Sequence, residues 1–235
     1  MTPPKDKSLI IVGDRQIAHV AFEYFTQDSA YEVAAFAVER AFLARDELFG
    51  RPVLALETLE ATHPPTRHEA FVAVGFARLN RIRARLYAAT KAKGYTMASY
   101  VSSRAFVWPN VPVGDNCFIL EGNVIQPFAR IGNDVTLWSG NHIGHHATIA
   151  DHVFLASHVV LSGSVEVGRS CFVGVNATVA HGVKIGDDAL IGAGTTILRD
   201  VKPRSICAAD ETQPRRIDTF RFFRLDADAD RDREA

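Results

Sequence analysis

Histidine side chains are concentrated in one stretch of this chain, and they are the residues best suited to chemistry. Six of the nine histidines lie between residues 142 and 181: His142, His145, His146, His152, His158 and His181. An imidazole can act as a general base near neutral pH or as a metal ligand. Exposed polar side chains in turns are more often simply solvated, so their spacing must decide among these roles.

Apolar residues in the same stretch recur with a period of six. Seventeen consecutive aliphatic residues, each six after the last, run from Val101 to Ile197 without an insertion. A second, mostly small residue follows four positions after each of them. Both positions must point inward, which predicts a parallel β-helix of triangular cross-section with three hexads, or 18 residues, in each coil.

Residues 18 apart in such a helix are axial neighbours, separated by about 4.8 Å. One edge of the prism carries Pro127, His145, Gly163, His181 and Arg199. Gly163 has no side chain to block a thioester carbonyl beside His145, and a backbone N–H there can stabilise an oxyanion. An elongated acyl carrier along this edge would pass His181 and bring its phosphates to Arg199. The residues His146, His152 and His158 instead lie six apart, so they diverge within one chain.

A groove along this edge needs a second wall. Another edge of the prism carries the small side chains of Ser157, Val175 and Ala193, and Gly174 adjoins Val175. We expect that edge of a second copy to face the His145 edge, so that three copies form three grooves for the acyl carrier. The expected residues for the oxyanion and the acyl carrier are therefore Gly163, His181 and Arg199 of one edge and Gly174, Val175 and Ala193 of the other.

The first hundred residues follow a different pattern, in which strand-like and helix-like segments alternate. Apolar runs at residues 9–12, 33–37 and 70–74 flank amphipathic stretches, which predicts a parallel sheet covered by helices, with ligands bound at the carboxyl ends of the strands. The arginines of the second helix are interpreted as a solvated face rather than a phosphate clamp: Arg78, Arg81, Arg83 and Arg85. The predicted units are an α/β domain over 1–100, a β-helix over 101–205 and a C-terminal segment over 206–235 whose end is disordered.

Composition excludes several classes of partner. Lys and Arg total 26 against 27 for Asp and Glu, so the net charge of −1 favours neither nucleic acid nor an anionic membrane. The apolar run at residues 9–12 is too short for a signal peptide or a membrane span, which predicts a cytoplasmic protein. Cys117, Cys171 and Cys207 lie far apart, so neither a disulfide framework nor a zinc site is indicated.

The hexad run resembles the bacterial hexapeptide acyltransferases, which are trimers of left-handed β-helices. An α/β domain in front of the helix is similar to a narrower group, the sugar-nucleotide N-acetyltransferases of the bacillosamine and perosamine pathways and the sialic-acid O-acetyltransferase-like proteins. The segment Ile143-Gly-His-His-Ala-Thr-Ile149 matches the family's catalytic hexad. The resemblance implies that His145 is the general base, and that His146 stands where relatives have a glutamate that orients the base.

The same resemblance implies the substrates. Ile11-Val-Gly13, Glu39 and Ala73-Val-Gly75 resemble the family's sugar-nucleotide site, so Gly13, Asp14, Glu39 and Gly75 are the expected contacts of the nucleotide sugar. The implied reaction is acetyl transfer from acetyl-CoA to the amine of a nucleotide-linked amino-dideoxy sugar. It requires no metal and serves lipopolysaccharide, O-antigen or other surface glycan synthesis.

Three alternatives remain open from the sequence. The first is O-acetylation of a sugar, or transfer of a different acyl group. The second is a non-catalytic scaffold or sugar-nucleotide-binding protein, because the first loop is not glycine-rich and the glutamate after the base is missing. The third is a zinc enzyme resembling γ-class carbonic anhydrase, although that family pairs histidines five apart and the separations here are three, four, six and seven.

Overall fold

The computed structural model describes residues 4–210, 216–217 and 219–223. The disorder predicted for the end of the C-terminal segment falls outside these residues. The N-terminal domain consists of β1 (Lys7–Val12), α1 (Gln16–Gln27), β2 (Tyr31–Val38), a 3-10 turn (Arg40–Phe42), β3 (Glu47–Leu48), β4 (Arg51–Ala55), a second 3-10 turn (Leu56–Ala61), β5 (Glu69–Val72) and α2 (Arg81–Ala92). Its sheet has the order β3-β4-β2-β1-β5 and is parallel except for the short β3–β4 pair.

Short strands of two residues, with tight turns between them, make up the second domain. They are β6 (Tyr100–Val101), β7 (Phe106–Val107), β8 (Phe118–Ile119), β9 (Val124–Ile125), β10 (Arg130–Ile131), β11 (Thr136–Leu137), β12 (His142–Ile143), β13 (Thr148–Ile149), β14 (Phe154–Leu155), β15 (Val160–Leu161), β16 (Glu166–Val167), β17 (Phe172–Val173), β18 (Thr178–Val179), β19 (Lys184–Ile185), β20 (Leu190–Ile191), β21 (Thr196–Ile197) and β22 (Ile206–Cys207). A last helix, α3, spans Thr219–Phe223. No helix of the described ranges combines the length and apolarity needed to cross a membrane.

These strands stack into three parallel sheets, which are the faces of a left-handed β-helix. Residues 18 apart pair in register, as His142 does with Val124 and Val160. The aliphatic and small positions of the hexads form one continuous buried core from Cys117 to Ile197. The predicted fold, an α/β domain followed by a hexapeptide β-helix, is confirmed. The first inward position is an exception, since Val101 is 40% exposed where no earlier coil covers it.

Two inward positions hold asparagine instead of an apolar residue. The Asn141 amide donates to Oδ1 of Asn123, one coil away, at 3.1 Å, and both amides also donate to the carbonyl of Trp138. Oδ1 of Asn141 accepts from the backbone N–H of Val159 at 2.7 Å. The buried amides are thus paired within the coil stack, so they are compatible with the apolar core around them.

The outward side chains of the three faces differ in character. The seven-stranded face presents Tyr100, Phe118, Thr136 and Phe154, all buried, because the N-terminal domain covers it. The four-stranded face presents Arg130, Thr148, Glu166 and Lys184 to solvent. The six-stranded face is uncharged: Phe106, Val124, His142, Val160, Thr178 and Thr196. That third face lies between the edge of His145 and the edge of Ala193.

A buried ion pair joins the two domains. Arg83 of α2 is 1% exposed, and its Nε donates to Asp134 Oδ1 at 3.1 Å. The other oxygen of Asp134 contacts Nδ1 of His152 at 2.8 Å, and Asn116 donates to Oδ1 at 2.7 Å. Asn116 in turn accepts from the N–H of Val72 on β5 at 2.7 Å. The interpretation of the α2 arginines as a solvated face is therefore wrong for Arg83, which docks the helix onto the coil stack.

Replacing Arg83 with methionine is expected to lower the free energy of unfolding by about 3–5 kcal/mol, because Asp134 would remain buried without its cation. Urea denaturation at neutral pH measures the loss. Arg81→Met is the matched control, since Arg81 pairs with Asp188 at the surface and such pairs contribute about 0–1 kcal/mol. Equal losses in the two variants would contradict the role assigned to the buried pair.

Candidate active site

The turn after β12 places His145 directly over the backbone of the next coil. A Cβ added to Gly163 would lie 2.5 Å from Cε1 and 2.6 Å from Nε2 of His145, so only glycine leaves the imidazole in this position. Gly144 is required for a related reason, since a Cβ there would come within 2.5 Å of the Gly163 nitrogen. The Nε2 side of the ring therefore faces a strip of bare backbone, as the 18-residue spacing predicted.

The backbone N–H groups at this edge are not equally available. The N–H of His145 donates to Oε1 of Gln126 at 2.9 Å. The N–H of Gly163, one coil further along, has no hydrogen-bond partner among the described residues. A free N–H beside a histidine nitrogen is a suitable donor for the negative oxygen of a tetrahedral intermediate.

His146 contacts the ring of His145 directly. The two Nδ1 atoms are 3.1 Å apart and the rings are nearly perpendicular, at 85°. On its other side, His146 stacks on Phe128 with ring centroids 4.8 Å apart. The two predicted catalytic histidines thus form one hydrogen-bonded pair, whereas the contribution of Phe128 was not predicted.

The rest of the predicted CoA edge follows the expected column. The ring of His181 lies 6.0 Å from that of His145, and Arg199 is exposed one coil further. Gly174, Val175 and Ala193 lie on a different edge, where they line a cavity of about 570 Å³ between the domains. Within one chain these three residues do not meet His145, so their assignment to the CoA site stays a prediction that requires a second copy.

Several aromatic residues line this cavity, and the sequence analysis did not predict their role. One of them is Phe76. Its ring contacts those of Phe154 and Phe172, at centroid distances of 5.2 Å and 4.5 Å, and Trp138 also lines the space. Phe154 and Phe172 stand at outward strand positions of the β-helix, where a solvated face would carry polar residues. Aromatic residues at such positions are a signal, available in the sequence, that another element covers that face.

All four predicted nucleotide-sugar contacts line one cavity in the N-terminal domain. Gly13, Asp14, Glu39 and Gly75 surround a space of about 330 Å³ at the carboxyl ends of β1, β2 and β5, and Phe42 is a further wall residue. Gly13 has a φ of +126°, and a Cβ there would lie 2.7 Å from the carbonyl oxygen of Ala73, so a larger residue does not fit. Binding at this cavity stays a prediction.

Arginines neutralise the carboxylates of this cavity. Both oxygens of Glu39 accept hydrogen bonds from Arg85 at 2.7 Å, and these bonds lower the pKa of Glu39. Arg45 lies 3.5 Å from Asp14. The cavity adjoins the aromatic one, because Ile17 and Gly75 line both.

Other potential reactive groups lie outside this arrangement. Burial raises the pKa of the Cys117 thiol to about 12 and that of Cys171 to about 11, so neither is a thiolate near neutral pH. Among the described residues, no group of three His, Cys, Asp or Glu side chains could hold a metal ion within one chain. His152 is engaged with Asp134, in the buried pair between the domains.

Comparison with known proteins agrees with this geometry. Residues 128–163 and 164–199 match the family model described as bacterial transferase hexapeptide (six repeats). The matched residues all lie within the β-helix. No curated protein matches the chain at a significant level by sequence. The resemblance to hexapeptide sugar-nucleotide N-acetyltransferases, predicted from the sequence, is confirmed by solved structures.

One such structure is a single-residue variant of perosamine N-acetyltransferase from Caulobacter crescentus in complex with CoA and GDP-perosamine. It is 26% identical to this chain, covers 87% of this chain and 94% of its own, and has a TM-score of 0.77. The acetyltransferase domain of PglB from Neisseria gonorrhoeae is 22% identical over 89% of this chain and 100% of its own, with a TM-score of 0.77. WeeI from Acinetobacter baumannii is 16% identical over 81% of this chain and 95% of its own, with a TM-score of 0.61. The last two show the fold alone.

A methyl group at residue 163 tests the geometry of this site. Gly163→Ala is expected to displace the His145 imidazole by about 1 Å, a shift large enough to cost about 100-fold in a positioned reaction. Imidazole NMR signals of His145 should move while the thermal unfolding midpoint stays close to that of the unmodified protein. Ser162→Ala, which adds no Cβ in the same coil, should leave those signals unchanged. An unmoved His145 in Gly163→Ala would show that the two residues do not touch.

Proposed function

We propose that this protein transfers an acetyl group from acetyl-CoA to the amine of a nucleotide-linked amino-dideoxy sugar. The observation that carries the proposal is the position of His145, whose Nε2 lies beside Gly163, a residue with an unpaired N–H, at an edge of the β-helix. A base and an oxyanion donor side by side are what acyl transfer needs. Support also comes from the variant of perosamine N-acetyltransferase from Caulobacter crescentus, which is crystallised with CoA and GDP-perosamine.

The reaction is a direct transfer without a covalent enzyme intermediate. The sugar amine attacks the thioester carbonyl while Nε2 of His145 takes a proton from the nitrogen. The carbonyl oxygen becomes negative and is held by the Gly163 N–H. When the intermediate collapses, the carbon–sulfur bond breaks, and the CoA thiolate takes the proton from the His145 imidazolium. The base is then regenerated for the next turnover.

CoA binds along the edge that continues from Gly163. The bare backbone at Gly163 lets the thioester end of CoA approach closely, and His181 lies beside His145 on the same edge. Arg199, at the exposed end of the column, is placed to bind phosphate groups. No metal takes part in this mechanism, because the base, the oxyanion donor and the leaving group need only the groups described.

The second wall of the groove comes from another copy of the chain. The six-stranded face is uncharged, and Val124 and Val160 on it are 37% and 38% exposed. This face lies between the His145 edge and the edge of Gly174, Val175 and Ala193, so copies that pack these faces around a threefold axis bring the two edges together. We therefore propose a homotrimer with three grooves, each formed by two copies.

The nucleotide sugar occupies the two adjoining cavities, one in the N-terminal domain and one at the domain junction. Gly13, Asp14, Glu39 and Gly75 contact the nucleotide, and the sugar lies toward the aromatic cavity that Val175 and Ala193 also line. Its amine then points to the groove. The product is a building block for surface glycans, made in the cytoplasm as predicted from the sequence.

Replacement of His145 by alanine is the direct test. Acetyl-CoA turnover with GDP-perosamine as the amine substrate should fall by about 10²–10⁴-fold, because the amine loses its proton acceptor. Sedimentation velocity should show the same oligomer as the unmodified protein. The control is His63→Ala, since His63 lines neither cavity. Unchanged turnover in His145→Ala would refute the assignment of the base.

A further inference from the structure

The contact between His145 and His146 restricts where protons can sit. Two neutral imidazoles whose Nδ1 atoms are 3.1 Å apart share one proton between those atoms, so one ring donates and the other accepts. If His146 donates, the single N–H proton of neutral His145 is on Nε2. That nitrogen then cannot take a proton from a substrate. If His145 donates, Nε2 has a free lone pair over Gly163.

We infer that His146 is a positioning residue that accepts the hydrogen bond from Nδ1–H of His145 and so holds Nε2 in the proton-accepting form. This inference rests on the proposed function, because only a base needs that tautomer. It adds that the orienting group is a neutral imidazole rather than a carboxylate. None of the hydrogen bonds formed by the His145 and His146 rings involves a carboxylate among the described residues.

Phe128 is the residue that keeps His146 in this orientation. Its ring lies against the His146 ring with an interplanar angle of 29° and covers one face of it. Both residues have left-handed backbones, with φ of +66° and +61°. Such values are uncommon for bulky residues. The N–H of Phe128 donates to Oδ1 of Asn110 at 3.1 Å. Phe128 is 58% exposed, so the hydrophobic core does not explain its position.

The surroundings of the pair determine how its activity responds to pH. Gln126, which accepts from the His145 N–H, and Phe128 are uncharged, and the nearest titratable ring is that of His181, 6.0 Å away. Among the described residues, the hydrogen-bond partner of the His145 ring is thus another imidazole and not a carboxylate. If the pair takes up a proton from solvent, the base is lost, so activity should fall as the pH decreases.

Nitrogen-15 NMR of the histidine side chains reads the tautomer without any substrate. In the unmodified protein, neutral His145 is expected to carry its proton on Nδ1. The signals of His145 are assigned as those that are lost in His145→Ala. In His146→Ala, His145 should shift toward the Nε2–H form, and His19 in the other domain should keep its signals. His145 with its proton on Nε2 in the unmodified protein, or an unchanged tautomer in His146→Ala, would overturn the inference.

Kinetics separate orientation from a structural role. His146→Gln and His146→Glu are a matched pair, since both can accept a hydrogen bond and only one is charged. In His146→Glu, the negative charge favours the imidazolium of His145, so the acidic limb of the kcat/KM profile should move up by about one pH unit. In His146→Gln the limb should not move up. An acidic limb that is the same in both variants would contradict the placement of residue 146 against the base.

Removal of the acceptor should affect turnover more than binding. We expect kcat to fall about tenfold in His146→Ala, the effect of one lost hydrogen bond, with KM for acetyl-CoA unchanged. Phe128→Ala should show a smaller loss of kcat. Phe128→Tyr keeps the ring and should not show this loss. Absence of acetyl transfer in the unmodified protein would refute the proposed function, whereas an active protein with unaltered His146 variants would refute only this inference.

Discussion

Each coil of the β-helix has to bury one aliphatic and one small side chain on each of three faces, and the rest of the structure depends on this constraint. It sets the coil at 18 residues and stacks equivalent residues about 4.8 Å apart. His145, Gly163, His181 and Arg199 form a column for this reason and not because of any attraction among them. The same packing that stabilises the fold thus places a histidine, a bare backbone and an arginine in order along one edge.

The N-terminal domain is placed by the seven-stranded face of the prism, which it covers. Phe118 and Phe154 replace the polar residues that an exposed face would carry, and the Arg83–Asp134 pair provides polar contacts at the junction. Removal of either ion from this buried site would leave the other uncompensated. This docking places the cavity of Glu39 and Gly75 next to the one beside Val175, with Ile17 and Gly75 lining both.

Much of this architecture could be predicted because the hexad period acts locally and without interruption. The column containing His145 followed from arithmetic on the sequence, and Gly163 had a physical reason to be glycine. Contacts between columns could not be predicted in this way. The stacking of Phe128 on His146 depends on side-chain orientation in two left-handed turns, and the burial of Arg83 depends on Asp134, which lies 51 residues away. The wrong interpretation of Arg83 arose because helix periodicity does not show which face another domain will cover.

A crystal structure of the protein with CoA tests the central claim most directly, because it locates the ligand without assuming a reaction. The account predicts that the CoA sulfur lies beside the Gly163 N–H and Nε2 of His145, and that its pyrophosphate lies toward Arg199 along the same edge. CoA bound on another face of the prism, with the N–H of Gly163 left unpaired, would contradict the assignment of this edge as an acyl-transfer site.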